Sequence, residues 1–196
     1  MAIGRPREFD TDAVLDAAMR VFWAKGYEGA TMSDLTTATN LKPGSIYAAF
    51  GSKTGLFKQA VDRYIATIFA YGPAALAAPT AREVTRLFLL GAVDATTGSD
   101  TPAGCLLVQS ALSPGDTALE AKAELNDRWR AAEEILTSRF AQALEEGDLP
   151  AGTDPRDVAV YVLSVSQGFA VQASTGASRE QLRRIVDLTM RTLPWE

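Results

Sequence analysis

The chain has 196 residues, 47% of them apolar, which excludes a disordered protein and leaves room for one or two domains with a sizeable core. It carries a net charge of −5 and no histidine, so the commonest general acid–base group and the commonest metal ligand are both missing; this weighs against an enzyme, and no metal or cofactor is expected. Its single cysteine excludes an internal disulfide framework. No apolar run approaches the ~18 residues of a membrane span, and no charged-then-apolar leader opens the chain, so no membrane partner and a cytoplasmic location are expected.

Alanine is abundant and alternating β-branched runs are scarce, which points to an all-α protein. The charge is unevenly spread. Residues 1–58 carry seven Lys/Arg and six Asp/Glu, a net of +1, whereas residues 59–196 sum to −6. No acidic residue stands between Asp34 and Asp62, where Lys42, Lys53 and Lys58 lie. A basic window in an acidic chain is the electrostatic footprint of a nucleic-acid contact.

In chain order, Arg5 and Arg7 flank Pro6 near the N-terminus. They read either as a frayed, solvated end or as a basic arm along a DNA groove. Asp10 suits the N-cap of a first helix, with Phe9 stapled onto Val14. Val14, Ala17, Ala18, Val21 and Phe22 form its apolar face, and Gly26 is expected to end it. Thr31-x-x-Asp34 has the spacing of a capping box and opens a short helix with Leu35 and Ala38 facing inward. Asn40 suits a left-handed stop, and Leu41 plugs the turn.

Pro43 then fits the first position of a third helix, where its missing N–H costs nothing. Ile46 and Phe50 are four apart and point into a core, while Tyr47 and Ala48 fall on the other side. Gly51 stops this helix and Ser52 caps the next. Two turns of helix are too short to stand alone, so the neighbouring helices must hold it. Helix, turn and second short helix make a helix-turn-helix.

A fourth helix is predicted over 53–71, with Leu56, Phe57, Ala60, Val61, Tyr64, Ile65 and Ile68 on a wide apolar face and Gly72-Pro73 as its stop. Five more follow, over 81–95, 103–112, 117–146, 155–174 and 179–193. Three of them open on cap signatures at Thr80-x-x-Glu83, Asp154-Pro155 and Ser178-x-x-Gln181.

The ordered block from Phe9 to Tyr64 resembles the TetR/AcrR family of one-component bacterial regulators. It contains Val21-Phe22-Trp23-Ala24-Lys25-Gly26-Tyr27, Thr31-Met32-Ser33-Asp34-Leu35 and Gly44-Ser45-Ile46-Tyr47-Ala48-Ala49-Phe50-Gly51-Ser52-Lys53-Thr54-Gly55-Leu56-Phe57. The Tyr47–Lys53 run is similar to the ComR-like subgroup. Lys42 departs from the family, which usually has a Ser or Thr cap there. The resemblance implies about nine helices: a three-helix DNA-binding head at 1–52, and a ligand-binding and dimerisation body at 53–196. It implies a repressor that binds operator DNA as a homodimer and lets go when a small-molecule inducer enters the body.

The chemistry of the positions agrees with that. Lys42, Pro43, Gly44, Ser45, Tyr47 and Ala48 form the expected DNA face of the recognition helix. Thr31, Ser33, Lys53 and Thr54 stand at helix starts, where N–H groups and hydroxyls suit phosphate. Alternatively, Tyr47 is only core and Ser45 only exposed. In the body, Phe88, Cys105, Gln109, Trp129, Gln167, Phe169 and Gln172 mix apolar and neutral polar groups as a ligand pocket does, and plain core packing is the other reading. Cys105 is either a buried small hydrophobe or a redox switch. Small residues on the 155–174 helix (Ala159, Ser164, Ser166, Gly168, Ala170, Ala173) and Leu182, Ile185, Val186 and Thr189 on the last are the expected dimer surface. Two rival readings remain, an all-helical enzyme without an evident catalytic pair and a helical adaptor for protein partners.

Overall fold

The structure is a computed structural model that describes residues 9–111, 119–193 and 195. The described residues form ten helices and no strand. They are α1 (Thr11–Gly29), α2 (Met32–Thr39), α3 (Pro43–Phe50), α4 (Lys53–Thr67), α5 (Tyr71–Leu76), α6 (Ala81–Thr96), α7 (Leu106–Ala111), α8 (Leu119–Glu145), α9 (Pro155–Ser174) and α10 (Arg179–Thr192). None is long and apolar enough to cross a membrane.

Most helix starts follow from local chemistry. Asp10 accepts from the N–H groups of Asp12 and Ala13, and Thr31–Asp34 and Ser178–Gln181 form complete capping boxes. Asp154 accepts from the Arg156 N–H, with Pro155 at the first helical position of α9. Gly26 has φ 69°, so α1 kinks there and one further turn runs to Gly29. The kink lies against α7: a Cβ at Gly26 would sit 3.3 Å from the Gln109 carbonyl oxygen.

Four sequence expectations change. Gly72-Pro73 does not stop a long helix; α4 ends at Thr67, and the pair lies in the first turn of α5, where proline is equally at home. That extra helix makes ten rather than nine. In α2 Leu35 is buried as expected, but Ala38 is exposed and Thr39 is buried in its stead, its hydroxyl donating to the Leu35 carbonyl at 2.7 Å. Helix α7 starts three residues later than expected, after Gly104-Cys105.

Two apolar cores result. The first gathers Phe22, Trp23, Leu35, Ile46, Phe50, Leu56, Phe57 and Tyr64 from α1–α4, and it continues into the body through Cys105, Leu106, Leu107, Leu125 and Ala170. The second lies among α5, α6, α8, α9 and α10. Head and body are therefore packed together, chiefly by α1 against α7. Ion pairs of Arg128 with Asp62 (2.5 Å) and Lys58 with Glu124 (3.7 Å) tie α4 to α8. Within the body, the Arg139 guanidinium of α8 donates to the carbonyls of Leu76 (3.1 Å) and Ala78 (2.9 Å) and so clamps the α5–α6 connection.

Candidate nucleic-acid interface and body cavity

Helices α2 and α3 are joined by Asn40, left-handed at φ 54°, and Leu41, which packs on the first core. Ile46 is fully buried and Phe50 nearly so, which fixes the rotation of α3. Its other face turns outward: Lys42, Pro43, Gly44, Ser45, Tyr47 and Ala48 are all exposed. Tyr47 is 48% exposed, the one large apolar side chain so exposed among the described residues of α1–α4, which excludes a core role for it. Lys42 occupies the N-cap without a side-chain cap bond. Since Pro43 has no N–H, the Gly44 N–H is the uncapped donor at the start of the helix.

The neighbouring helix starts border this face. Ser33 is exposed, and the Thr31 hydroxyl is engaged with Asp34 in the capping box. Lys25 meets the same carboxylate at 2.7 Å; that contact first, and then the Thr31 bonds, hold Asp34 well below the usual carboxylate range. At the start of α4 the Thr54 hydroxyl shares a hydrogen bond of 2.8 Å with the Tyr27 phenol, so its side chain positions α4 against α1 rather than reaching outward. The Lys53 ammonium lies 4.4 Å from the Tyr27 ring centroid, and burial pushes its pKa down. The basic window thus divides, with Lys42 and Lys53 beside the exposed face and Lys58 turned to Glu124 in the body. Arg5 and Arg7 lie outside the described residues.

The body holds a partly open cavity of about 250 Å³. Phe88, Cys105, Trp129 and Gln167 line it, together with Phe69, Tyr71, Leu136 and others; Gln109, Phe169 and Gln172 do not. Phe169 and Gln172 instead border an open groove between α9 and α10, and Gln109 lies against the α1 kink. Sequence spacing did not reveal Tyr71, whose place beside Gly72-Pro73 marked it only as a helix end. Aromatic rings lead from this cavity into the first core. Phe88–Tyr71, Tyr71–Phe69, Phe69–Tyr64 and Tyr64–Trp23 have centroids 5.7, 5.3, 5.7 and 4.8 Å apart.

On the outer faces of α9 and α10, Val160, Tyr161, Val171, Ile185 and Leu188 are exposed. Of the residues expected there from sequence, Ala159, Ala170, Ala173, Leu182, Val186 and Thr189 are buried within the chain, and Ser164, Gly168 and Ile185 face out.

Residues 14–60 match the model of the bacterial regulatory proteins of the tetR family, and residues 85–189 match the tetracyclin repressor-like C-terminal domain. The chain belongs to the TetR family. Among curated TetR-type relatives, the HTH-type transcriptional repressor ComR of Escherichia coli (strain K12) is 36% identical over 197 residues, covering 97% of this chain and 92% of the relative. The uncharacterized HTH-type transcriptional regulator YezE of Bacillus subtilis (strain 168) is 28% identical, covering 97% and 100%. A solved structure of a cysteine mutant of the TetR family transcriptional regulator CifR, complexed with 26bp double-strand operator DNA, superposes with a TM-score of 0.91. It is 37% identical and covers 97% of this chain and all of that one. As a TetR family member this protein is a DNA-binding transcriptional regulator, not an enzyme.

Proposed function

We propose that the protein is a homodimeric repressor that grips a palindromic operator with α3 and releases it when a small molecule enters the body cavity. The observation that carries this reading is the outward face of α3, which presents Lys42 through Ser45, Tyr47 and Ala48 while Ile46 and Phe50 anchor the helix from behind. In the major groove, Gly44 lets the backbone approach closely, Ser45 reads a donor or acceptor edge, and Ala48 touches a thymine methyl. Tyr47, Lys42, Lys53 and the N–H groups near Thr31, Ser33 and Thr54 take phosphates, and Arg5 and Arg7 extend the contact as an arm.

In this reading residues 1–52 are the head and 53–196 the body, and the protein works in the cytoplasm, where its operator is. Two copies meet through the exposed seam of Val160, Tyr161, Val171, Ile185 and Leu188. The complex of CifR with operator DNA, and the similarity to the transcriptional repressors ComR and BdcR of Escherichia coli (strain K12), support the DNA role. The aromatic run from Phe88 to Trp23 supports communication between cavity and head, because it joins packed elements whose positions both sites can bias.

The test is selection of random duplexes by the purified protein at two salt concentrations. The expected result is a palindromic consensus with half-sites about one helical turn apart or slightly more, bound less tightly as salt rises. A single half-site bound as well as the pair would overturn the dimeric reading.

A further inference from the structure

Among the described residues the cavity wall carries no Asp, Glu, Lys or Arg, so a charged ligand would enter without a counter-charge there and lose hydration. A cavity of about 150 Å³ holds benzene, so one of about 250 Å³ has room for about ten non-hydrogen atoms. Its polar groups are few. The hydroxyls of Thr96 and Ser166 are already spent on the Ala92 and Leu163 carbonyls, each at 2.8 Å. The Tyr71 hydroxyl is different: it is buried and has no hydrogen-bond partner among the described residues.

Burial first, then the Cys105 thiol close by, push the Tyr71 phenol far above its ordinary pKa, so it stays protonated and remains a donor. Cys105 is itself on the cavity wall and is also kept protonated by burial. Neither the Cys105 thiol nor the Gln167 amide of the described wall is bonded to the Tyr71 hydroxyl. Its ring is also held in place. Gly91 of α6 leaves the space it fills, since a Cβ there would lie 2.2 Å from the ring's Cδ2, and Phe69 and Phe88 pack on it at 5.3 and 5.7 Å.

We propose that the cavity binds an uncharged, largely apolar molecule of about ten non-hydrogen atoms whose accepting oxygen, a carbonyl or ether, takes the Tyr71 hydroxyl. The inference rests on the ligand-responsive reading above and adds the chemistry of the ligand. An orphaned buried donor is costly, and an acceptor-bearing guest removes that cost where a hydrocarbon of the same shape does not.

The experiment is calorimetric titration of the full-length protein with three probes of matched size: α-tetralone, its hydrocarbon counterpart tetralin, and the anion cinnamate. The wild type is expected to prefer tetralone to tetralin by three- to tenfold and to bind the anion at least tenfold more weakly than tetralone. In Tyr71→Phe, which loses only the unpartnered hydroxyl, tetralone and tetralin are expected to bind alike. Equal binding of the two by the wild type, or a preference that survives in Tyr71→Phe, would overturn the proposal, as would preferred binding of the anion. Gly91→Ala, which displaces the ring, is expected to erase the preference as well. Operator release is read separately. Tetralone that binds as described but leaves the operator complex intact counts against the ligand-responsive reading and leaves the cavity chemistry standing.

Discussion

The Lys53 ammonium sits over the Tyr27 ring at 4.4 Å, and the Tyr27 hydroxyl is bonded to Thr54, the next residue along. One buried aromatic thus positions the first two residues of α4, at the edge of the exposed face of α3. Loss of the cation is expected to weaken binding to all sequences alike. In Lys53→Ala the slope of log affinity against log salt should flatten by about 1, one phosphate contact fewer. The check is titration of operator and non-operator duplexes across a salt series. An unchanged slope would remove Lys53 from the interface. Tyr27→Phe keeps the ring and loses the Thr54 bond, so it should leave the slope intact and cost stability of about 1 kcal/mol.

Asp34 gives the head a pH dependence of known sign. Its folded pKa lies well below its unfolded value, through Lys25 first and then Thr31, so the stabilisation is complete above the ordinary carboxylate pKa of about 4 and is lost as pH falls below it. Thermal unfolding between pH 7 and pH 2 should show the wild type losing its advantage over Asp34→Asn on the acid side alone. A constant difference across that range would show that the carboxylate charge is not what matters.

Why some of this was legible in the sequence and some was not is a question of range. The bounds of α9, and the rotation of α3 with Ile46 and Phe50 inward, depend on residues within one turn of each other: a cap, a proline, an i,i+4 apolar pair. The α4–α5 break is not legible locally because Pro73 satisfies a helix start as well as a stop, whereas in the fold Tyr71 opens α5 packed between Phe69 and Phe88. Thr39 looked polar and Ala38 apolar, yet a threonine that bonds its own helix carbonyl can be buried. On α10 the pattern offers two apolar stripes. Leu182, Val186 and Thr189 are covered by the chain itself, leaving Ile185 and Leu188 outside, and nothing local distinguishes them. The cavity wall is a tertiary property, which is why Phe88, Cys105, Trp129 and Gln167 reach it and the similar Gln109, Phe169 and Gln172 do not.

That exposed stripe makes the dimer testable without disturbing the fold. Ile185 and Leu188 are 44% and 49% exposed in the single chain, so a charge there costs the monomer little. The double variant Ile185→Glu, Leu188→Glu is expected to sediment as a monomer, keep its helical circular dichroism, and bind the two half-sites of the operator independently. A dimer that persists in the variant at micromolar concentration would place the interface elsewhere.

The aromatic run predicts how the two sites are coupled. Phe69 is the link common to Tyr64 in the first core and Tyr71 on the cavity wall, at 5.7 and 5.3 Å. Replacing it by leucine keeps apolar volume but removes both ring contacts, at a stability cost of about 1–2 kcal/mol. Linkage is reciprocal, so whatever factor a cavity ligand takes from operator affinity, operator DNA must take from ligand affinity. In the wild type, saturating operator is therefore expected to weaken tetralone binding about fivefold or more, the lower end of typical coupling. In Phe69→Leu the operator and tetralone should each still bind, while the factor falls towards one. If the variant keeps the full coupling, the rings are packing alone, and the kink of α1 at Gly26 against the Gln109 carbonyl becomes the route between the sites.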